Sequence, residues 1–229
     1  MTFAAALSYS KFMLATRLVL LEGLAGTGKS TLGQKLGEML THAGFPAEFI
    51  HEFNKRNPVQ VGDLTGVVEW QEAVRDKWEQ FLQDTLRENQ SITLMDAAFL
   101  QCPVSELLER GADTGHICSF VTRIRDRIQT LRPVVIYLYQ QNIESAMRST
   151  FESRSTTWQQ KVTTFLIDTP FARKHSATGF DLYLELNRQI RQICDEIVEK
   201  LPFRVIRIDT SRPHWPTIHW QLAADFNIS

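Results

Sequence analysis

The chain has 229 residues, of which 43% are hydrophobic and 22% are charged, and its formal net charge is −1. This length suits one globular domain with a full core, and the balanced charge argues against a nucleic-acid-binding surface, which normally carries a basic excess. The sequence has no apolar run long enough to span a membrane, and its three scattered cysteines are typical of reduced thiols in a cytoplasmic protein.

Residues 1–15 are mildly apolar but lack the basic start of a signal peptide, so we expect a loosely ordered lead-in. Residues 18–21 are a continuous apolar run that predicts the first strand. Residues 23–30 then match the pattern GxxxxGKS, and apolar residues at helical spacing continue to a stop at Gly44. This succession of strand, glycine-rich loop and helix is typical of a nucleotide phosphate site.

The glycine-rich loop has the chemistry that such a site needs. Gly23, Gly26 and Gly28 allow positive φ and close approach of a ligand, and the next helix directs its N–H groups at an anion. Lys29 is expected to bind the outer phosphates, and the Ser30 hydroxyl to coordinate Mg²⁺. The predicted phosphate-binding residues are Gly23, Leu24, Ala25, Gly26, Thr27, Gly28, Lys29, Ser30 and Thr31.

Beyond the loop, strands and helices alternate. Further strands are predicted at residues 47–53, 91–96, 133–138 and 203–209. Helices are predicted at residues 67–86, 103–110, 116–131, 143–154, 158–168, 180–201 and 217–226, with a basic loop at 169–179. Trp70 and Trp78 are expected to be core residues.

This order predicts βαβ units and therefore a parallel sheet with right-handed crossovers. We expect an α/β, three-layer αβα P-loop NTPase fold with a central, mostly parallel five-stranded sheet and a helical lid. Residues 1–229 are expected to form one domain, with the lid at about residues 140–180.

Two acids lie at the ends of predicted strands. In open parallel sheets, catalytic parts gather beyond the carboxyl ends of the strands, which selects Glu52 and Asp96. Asp96 closes an apolar run and is expected to hold Mg²⁺ or its bound water together with Ser30, while Glu52 is placed to accept a proton from a substrate hydroxyl. The alternative for both is a structural role as a cap of a helix or turn. His51 is expected on the opposite strand face, with a ligand or catalytic role as the alternative.

Phosphoryl transfer also needs positive charge on the moving group. Arg148 and Arg154, after the fourth strand, are the first choices, followed by Arg173 and Lys174 in the basic loop. A further pair, Arg123 and Arg127, either grips an anionic acceptor or forms a solvent face. Asp209, after the last strand, is expected to border the base of a bound nucleotide.

The phosphate loop, the acids after the second and third strands and the arginine-bearing segment after the fourth resemble the P-loop kinases of small molecules. Thymidylate kinase and the deoxynucleoside kinases are the nearest named groups. Uncharacterised bacterial P-loop proteins are closer still, and they are similar at residues 51–52, 96–101, 154–158 and 170–175.

The resemblance implies that Lys29 and Ser30 bind phosphate and Mg²⁺ and that Arg148 and Arg154 are lid arginines. The chain departs from both named groups at Ala97, where they place an arginine. It departs from deoxynucleoside kinases at Phe53, where they have proline. The acceptor-binding residues are therefore expected to differ.

The sequence favours an ATP- and Mg²⁺-dependent phosphotransferase in which Lys29, Glu52, Asp96, Arg148 and Arg154 act on a small-molecule acceptor, either a nucleotide, a nucleoside or another compound. A nucleotide-dependent ATPase or switch protein is the alternative, and a P-loop sulfotransferase is a weaker one. The expected partners are a nucleoside triphosphate and the acceptor, without nucleic acid or membrane. The oligomeric state stays open, a homodimer included.

Overall fold

A computed structural model describes residues 16–87 and 91–228, so the lead-in expected at residues 1–15 lies outside the described residues. The strands are β1 (Leu18–Glu22), β2 (Ala47–Ile50), β3 (Ile92–Asp96), β4 (Val134–Tyr139) and β5 (Arg204–Asp209). The described helices are α1 (Lys29–His42), α2 (Val67–Arg87), α3 (Gln101–Glu109), α4 (Thr114–Ile128), α5 (Ile143–Glu152), α6 (Thr156–Ile167), α7 (Gly179–Val198) and α8 (Trp215–Asp225). Short 3-10 turns occupy Gln129–Leu131 and Ala172–Lys174.

The five strands form one sheet in the order β2-β3-β1-β4-β5. Every strand pairing in it is parallel. The expected α/β fold is confirmed, and the sheet is parallel throughout rather than mostly parallel. β1 lies at the centre, with Leu21 beside Asp96 of β3 and Glu22 beside Tyr137 of β4. The phosphate loop therefore leaves the middle of the sheet's carboxyl edge, with β3 on one side and β4 on the other.

The two faces of the sheet have separate cores. Side chains of a strand alternate between faces, so Val19 and Leu21 pack with α1 and α8, whereas Leu18 and Leu20 pack with α2, α3, α4 and α7. Trp70 and Trp78 of α2 are 1% and 0% exposed in the second of these cores, as predicted. None of the described helices has the length and apolar character needed to cross a membrane.

Several predicted boundaries were wrong. β2 ends at Ile50 rather than residue 53, because the chain turns there: the Asn54 amide donates to the His51 carbonyl at 2.9 Å. Glu52 therefore lies in a turn beyond the strand. Two helices begin earlier than expected because side chains cap them: the Asp113 carboxylate caps α4, and His214 caps α8 ahead of a first turn that contains proline.

Candidate nucleotide site

The glycine-rich loop is closely packed against β4 and against α8. A Cβ at Gly23 would lie 2.1 Å from the Leu138 carbonyl oxygen of β4, and one at Gly28 would lie 2.6 Å from the Trp215 ring. Both glycines have positive φ, as does Gly26. Glycine is thus required by backbone conformation and by space. Gly28 precedes α1 and has no side chain to cap it, so the first N–H groups of α1 are left for a ligand.

Lys29 and Ser30, the first residues of α1, both reach towards β3. The Lys29 ammonium donates to the Leu24 carbonyl at 3.2 Å and lies 4.0 Å from Asp96 Oδ1, with only 6% of the side chain exposed. The Ser30 hydroxyl donates to Asp96 Oδ2 at 2.5 Å. The structure thus brings together three residues that sequence reasoning had selected from two separate segments.

Asp96 is fully buried and only partly satisfied. Its Oδ1 atom accepts no hydrogen bond from the described residues, although it is buried. A buried carboxylate oxygen without a donor is costly unless a cation fills the place. Mg²⁺ usually takes one or two protein oxygens and completes its shell with water and phosphate. Ser30 and Asp96 fit that donor set, whereas the described residues contain no larger cluster of His, Cys, Asp or Glu suited to a metal.

His51 and Glu52 flank this group after β2. His51 was expected on the opposite face of the second strand, but it lies beyond the end of β2, and its Nε2 atom lies 3.9 Å from Asp96 Oδ2. Burial raises the pKa of the Glu52 carboxyl above its ordinary value. The Lys29 ammonium opposes that rise, and Asp96 adds to it. Fully buried Asn57 ties the turn to the site, because its amide donates to the Asp96 carbonyl at 3.0 Å.

A second buried acid, Glu22, was missed at the sequence level. Its carboxylate accepts the amide N–H groups of Phe99 at 2.8 Å and Gln101 at 2.9 Å, and it is 0% exposed. Burial raises the pKa of Glu22 to about 7, against the lowering effect of these two bonds and of Lys29. Glu22 thus joins the end of β1 to the segment between Asp96 and α3. The available signal was a carboxylate closing an otherwise apolar strand.

The predicted lid arginines are separated. Arg148 lies 3.5 Å from Glu144, and its guanidinium covers the Phe180 ring at 4.5 Å, so protein groups engage it. Arg154 follows α5 and lies 5.7 Å from the Trp158 ring centre. Its charge is among those that oppose the burial-driven rise in the pKa of Glu52. Arg148 is thus held by Glu144 and Phe180, whereas the charge of Arg154 acts on Glu52.

The other predicted cations have protein partners or face solvent. Arg123 covers the Phe120 ring, and Arg127 lies 3.9 Å from Glu79, as on an ordinary helix surface. In the 3-10 turn after α6, Lys174 donates to the Gly111 carbonyl at 2.9 Å, and Arg173 is exposed.

A polar cavity of about 700 Å³ opens on the other side of the loop, beyond β4 and β5. Its lining includes Gln141, Asn142, Ser145, Ser149, Asp209 and Arg212. Asp209 accepts the Ser211 amide at 2.8 Å and the Gln141 side-chain amide at 2.6 Å, and the bonds from Ser211 and Gln141 lower its pKa. α5 joins this cavity to the phosphate loop, because Thr150 packs directly against Gly26.

No protein-family model matches the chain. No curated protein matches it either. Solved structures do. Deoxyadenosine kinase from M. mycoides with bound dATP is 16% identical, with a TM-score of 0.53 over 91% of this chain and 98% of that one. Thymidylate kinase from Candida albicans is 12% identical, with a TM-score of 0.55 over 93% of each chain. At such identities the likeness concerns the fold, and the chain has a P-loop nucleotide kinase-like fold.

Proposed function

We propose that the protein is an ATP- and Mg²⁺-dependent kinase that moves the γ-phosphate to a hydroxyl group of a small molecule. One observation carries the proposal: Lys29, Ser30 and Asp96 converge at the uncapped start of α1, and the buried Asp96 carboxylate keeps one oxygen without a donor. Nucleotide kinases of the same fold lend support, because this fold can present donor and acceptor to each other.

In this proposal the donor lies across the loop. The N–H groups of residues 23–31 bind the α- and β-phosphates, and Lys29 bridges the β- and γ-phosphates. The base occupies the cavity bordered by Asp209, which Gln141 and Ser211 hold in place. Ser30 and Asp96 would hold Mg²⁺, which when bound neutralises charge on the phosphate oxygens.

The acceptor approaches from the β2–β3 side. Its hydroxyl oxygen forms a bond to the γ-phosphorus while the bond to the bridging oxygen breaks, and that electron pair leaves on ADP. Glu52 accepts the hydroxyl proton. Burial shifts the pKa of its carboxyl group upward, towards neutral pH, and a general base is most effective when its pKa lies near the working pH. Arg154, from the proposed lid at residues 140–180, stabilises charge on the moving group.

The test is a screen of purified protein for ATP-dependent phosphorylation of nucleosides, nucleotides, sugars and amino alcohols, read out by mass spectrometry of the products. We expect a phosphorylated product and one ADP for each. Steady release of phosphate from ATP with no phosphorylated acceptor would reject the kinase and favour the alternative, a nucleotide-dependent ATPase. Absence of nucleotide binding would reject both.

A further inference from the structure

Anions have different access to the two sides of the phosphate loop. On the donor side, the N–H groups at the start of α1 follow Gly28 and are uncapped. On the acceptor side, the corresponding helix is α3, which also starts at the carboxyl edge of the sheet. The amides of Phe99 and Gln101 at its start are already bonded to the Glu22 carboxylate. The amides at the helix end that would attract a second phosphate are therefore already bonded to a carboxyl group of the protein.

Two cations near the acceptor side, Lys77 and Arg110, are engaged as well. Lys77 donates to the main-chain carbonyls of Lys55 and Gln60 and so fastens the loop after β2 to α2. Arg110 donates to the Leu64 carbonyl at 2.5 Å and pairs with Glu106, while its guanidinium covers Trp70 at 5.4 Å. These side chains hold loops together.

Glu52 and Glu22 lie on the acceptor side, where Arg154 is a cation that the proposed function already assigns to the moving phosphoryl group. The Cys102 thiol lies in the first turn of α3, and its pKa is raised well above the usual range. Burial is the largest cause, the negative charges of Glu52 and Glu22 add to the rise, and the Lys29 ammonium opposes it. Lys29 itself is committed to the donor in the proposed function. A phosphate monoester carries up to two negative charges, and its recognition needs Arg or Lys side chains or free amides. Placed beside Glu52, it would meet like charge instead.

We propose that the acceptor is a hydroxyl compound that carries no phosphate and is neutral or cationic. This inference rests on the proposed function and narrows it: the enzyme phosphorylates an unphosphorylated small molecule and discriminates against its phosphate ester. The phosphate ester is disfavoured on the acceptor side for two reasons: the Glu52 carboxylate repels it, and the amides at the start of α3 are already bonded to Glu22.

The experiment compares matched pairs of acceptors at fixed ATP and Mg²⁺. The pairs are adenosine and its 3′-monophosphate, thymidine and its 3′-monophosphate, glucose and glucose 1-phosphate, and glycerol and glycerol 3-phosphate, so that both members of every pair keep a free primary hydroxyl group. The 5′-monophosphates of adenosine and thymidine are added as the acceptors that a nucleotide kinase would use. For the pair that is turned over, we expect kcat/KM to be at least about tenfold higher for the member without phosphate, since like-charge placement costs more than about 1.4 kcal/mol. Equal or better turnover of the ester overturns this inference and leaves the kinase intact. Hydrolysis of ATP without any product removes the kinase and, with it, the inference.

Ionic strength gives a readout that needs no variant. Raising salt from about 0.05 to 0.5 M should shrink the preference, because screening weakens the repulsion of the ester. A Glu52→Gln variant should lower kcat and also narrow the preference. The control is Glu48→Gln, an exposed β2 acid paired with Arg56, which should leave the preference unchanged. A preference that neither salt nor Glu52→Gln alters would contradict its electrostatic origin and overturn the inference.

Discussion

The same structural feature, a helix that starts at the carboxyl edge of the sheet, is used in opposite ways on the two sides of the site. α1 follows Gly28, and its first N–H groups stay available. α3 has its first amides bound by Glu22, a residue of the neighbouring strand. A helix N-terminus is thus an anion site only when the protein leaves it uncapped. Glu22 and Gly28 are six positions apart in the chain, and in the proposed function they determine which side accepts phosphate.

The largest expected effect comes from Lys29, which the proposed function assigns to the donor phosphates. Lys29→Ala should lower kcat for phosphoryl transfer by about 10²–10³-fold, because a charge aimed at the transition state is lost. The control is Lys35→Ala on the same helix, where the lysine pairs with Glu38 and is about half exposed, 48%. The assay is initial rate at saturating ATP. Equal rates for Lys29→Ala and Lys35→Ala would show that the uncapped helix end does not bind the reacting phosphates.

The next effect concerns the free energy of unfolding, and it tests how the Glu22 carboxyl group is held against the amides at the start of α3. The pKa of Glu22 is raised in the fold from 4.5 to about 7, so the folded state holds a proton that the unfolded chain releases. Its contribution to the free energy of unfolding is therefore complete below about pH 4.5 and is lost as pH rises through about 7, a loss of about 3 kcal/mol. Burial also raises the pKa of Glu109 to about 7, so Glu109 adds a similar pH dependence to the free energy of unfolding.

Glu22→Gln should remove the Glu22 part of this slope. Urea unfolding between pH 5 and pH 8 should show the native protein losing about 2–3 kcal/mol more than the variant. The exposed substitution Glu38→Gln should follow the native curve. Parallel curves for the native protein and Glu22→Gln would mean that Glu22 stays ionised throughout, despite its burial.

A smaller effect is expected for Asp96→Asn. Asp96 lies between the phosphate loop and the proposed acceptor side, at the end of β3. Asparagine keeps an oxygen for the Ser30 hydroxyl but removes the charge and the free carboxylate oxygen. The Mg²⁺ concentration for half-maximal activity should rise by about 10–100-fold. The measurement is a Mg²⁺ titration at fixed ATP, with exposed Asp84→Asn as the control. An unchanged midpoint would place the metal elsewhere.

The conformation of the phosphate loop was largely predictable from sequence, whereas its role in binding a phosphate donor stays a prediction. Gly23 through Ser30 are one continuous segment whose pattern determines both conformation and chemistry. Asp96 was also found, although 66 positions separate it from Ser30, because parallel strands bring their carboxyl ends together. A general rule of topology supplied the long-range contact.

The acceptor side was less predictable because its features depend on the path of particular loops. Glu22 bonds to amides 77 and 79 positions away, and the sequence does not reveal which amides those are. His51 reaches Asp96 because β2 ends at Ile50 and the chain turns, three residues earlier than periodicity suggested. Arg148 looked free on a helix, yet Glu144 and Phe180 engage it. Rotamers and partners of long side chains are properties of packing.

The smallest effect is expected for a substitution of Arg212, which lines the polar cavity beyond β4 and β5. An arginine beside a base adds about 0.5–1 kcal/mol through its contact with the ring, so Arg212→Ala should raise the KM for ATP by about two- to fivefold and leave kcat unchanged. The matched control is Arg207→Ala, an exposed arginine within β5 that does not line the cavity. The acceptor preference should be the same in both variants, because the cavity and Glu52 lie on opposite sides of the phosphate loop. A change in kcat, or in preference for the acceptor, would mean that the two sides do not act independently and that the base does not occupy this cavity.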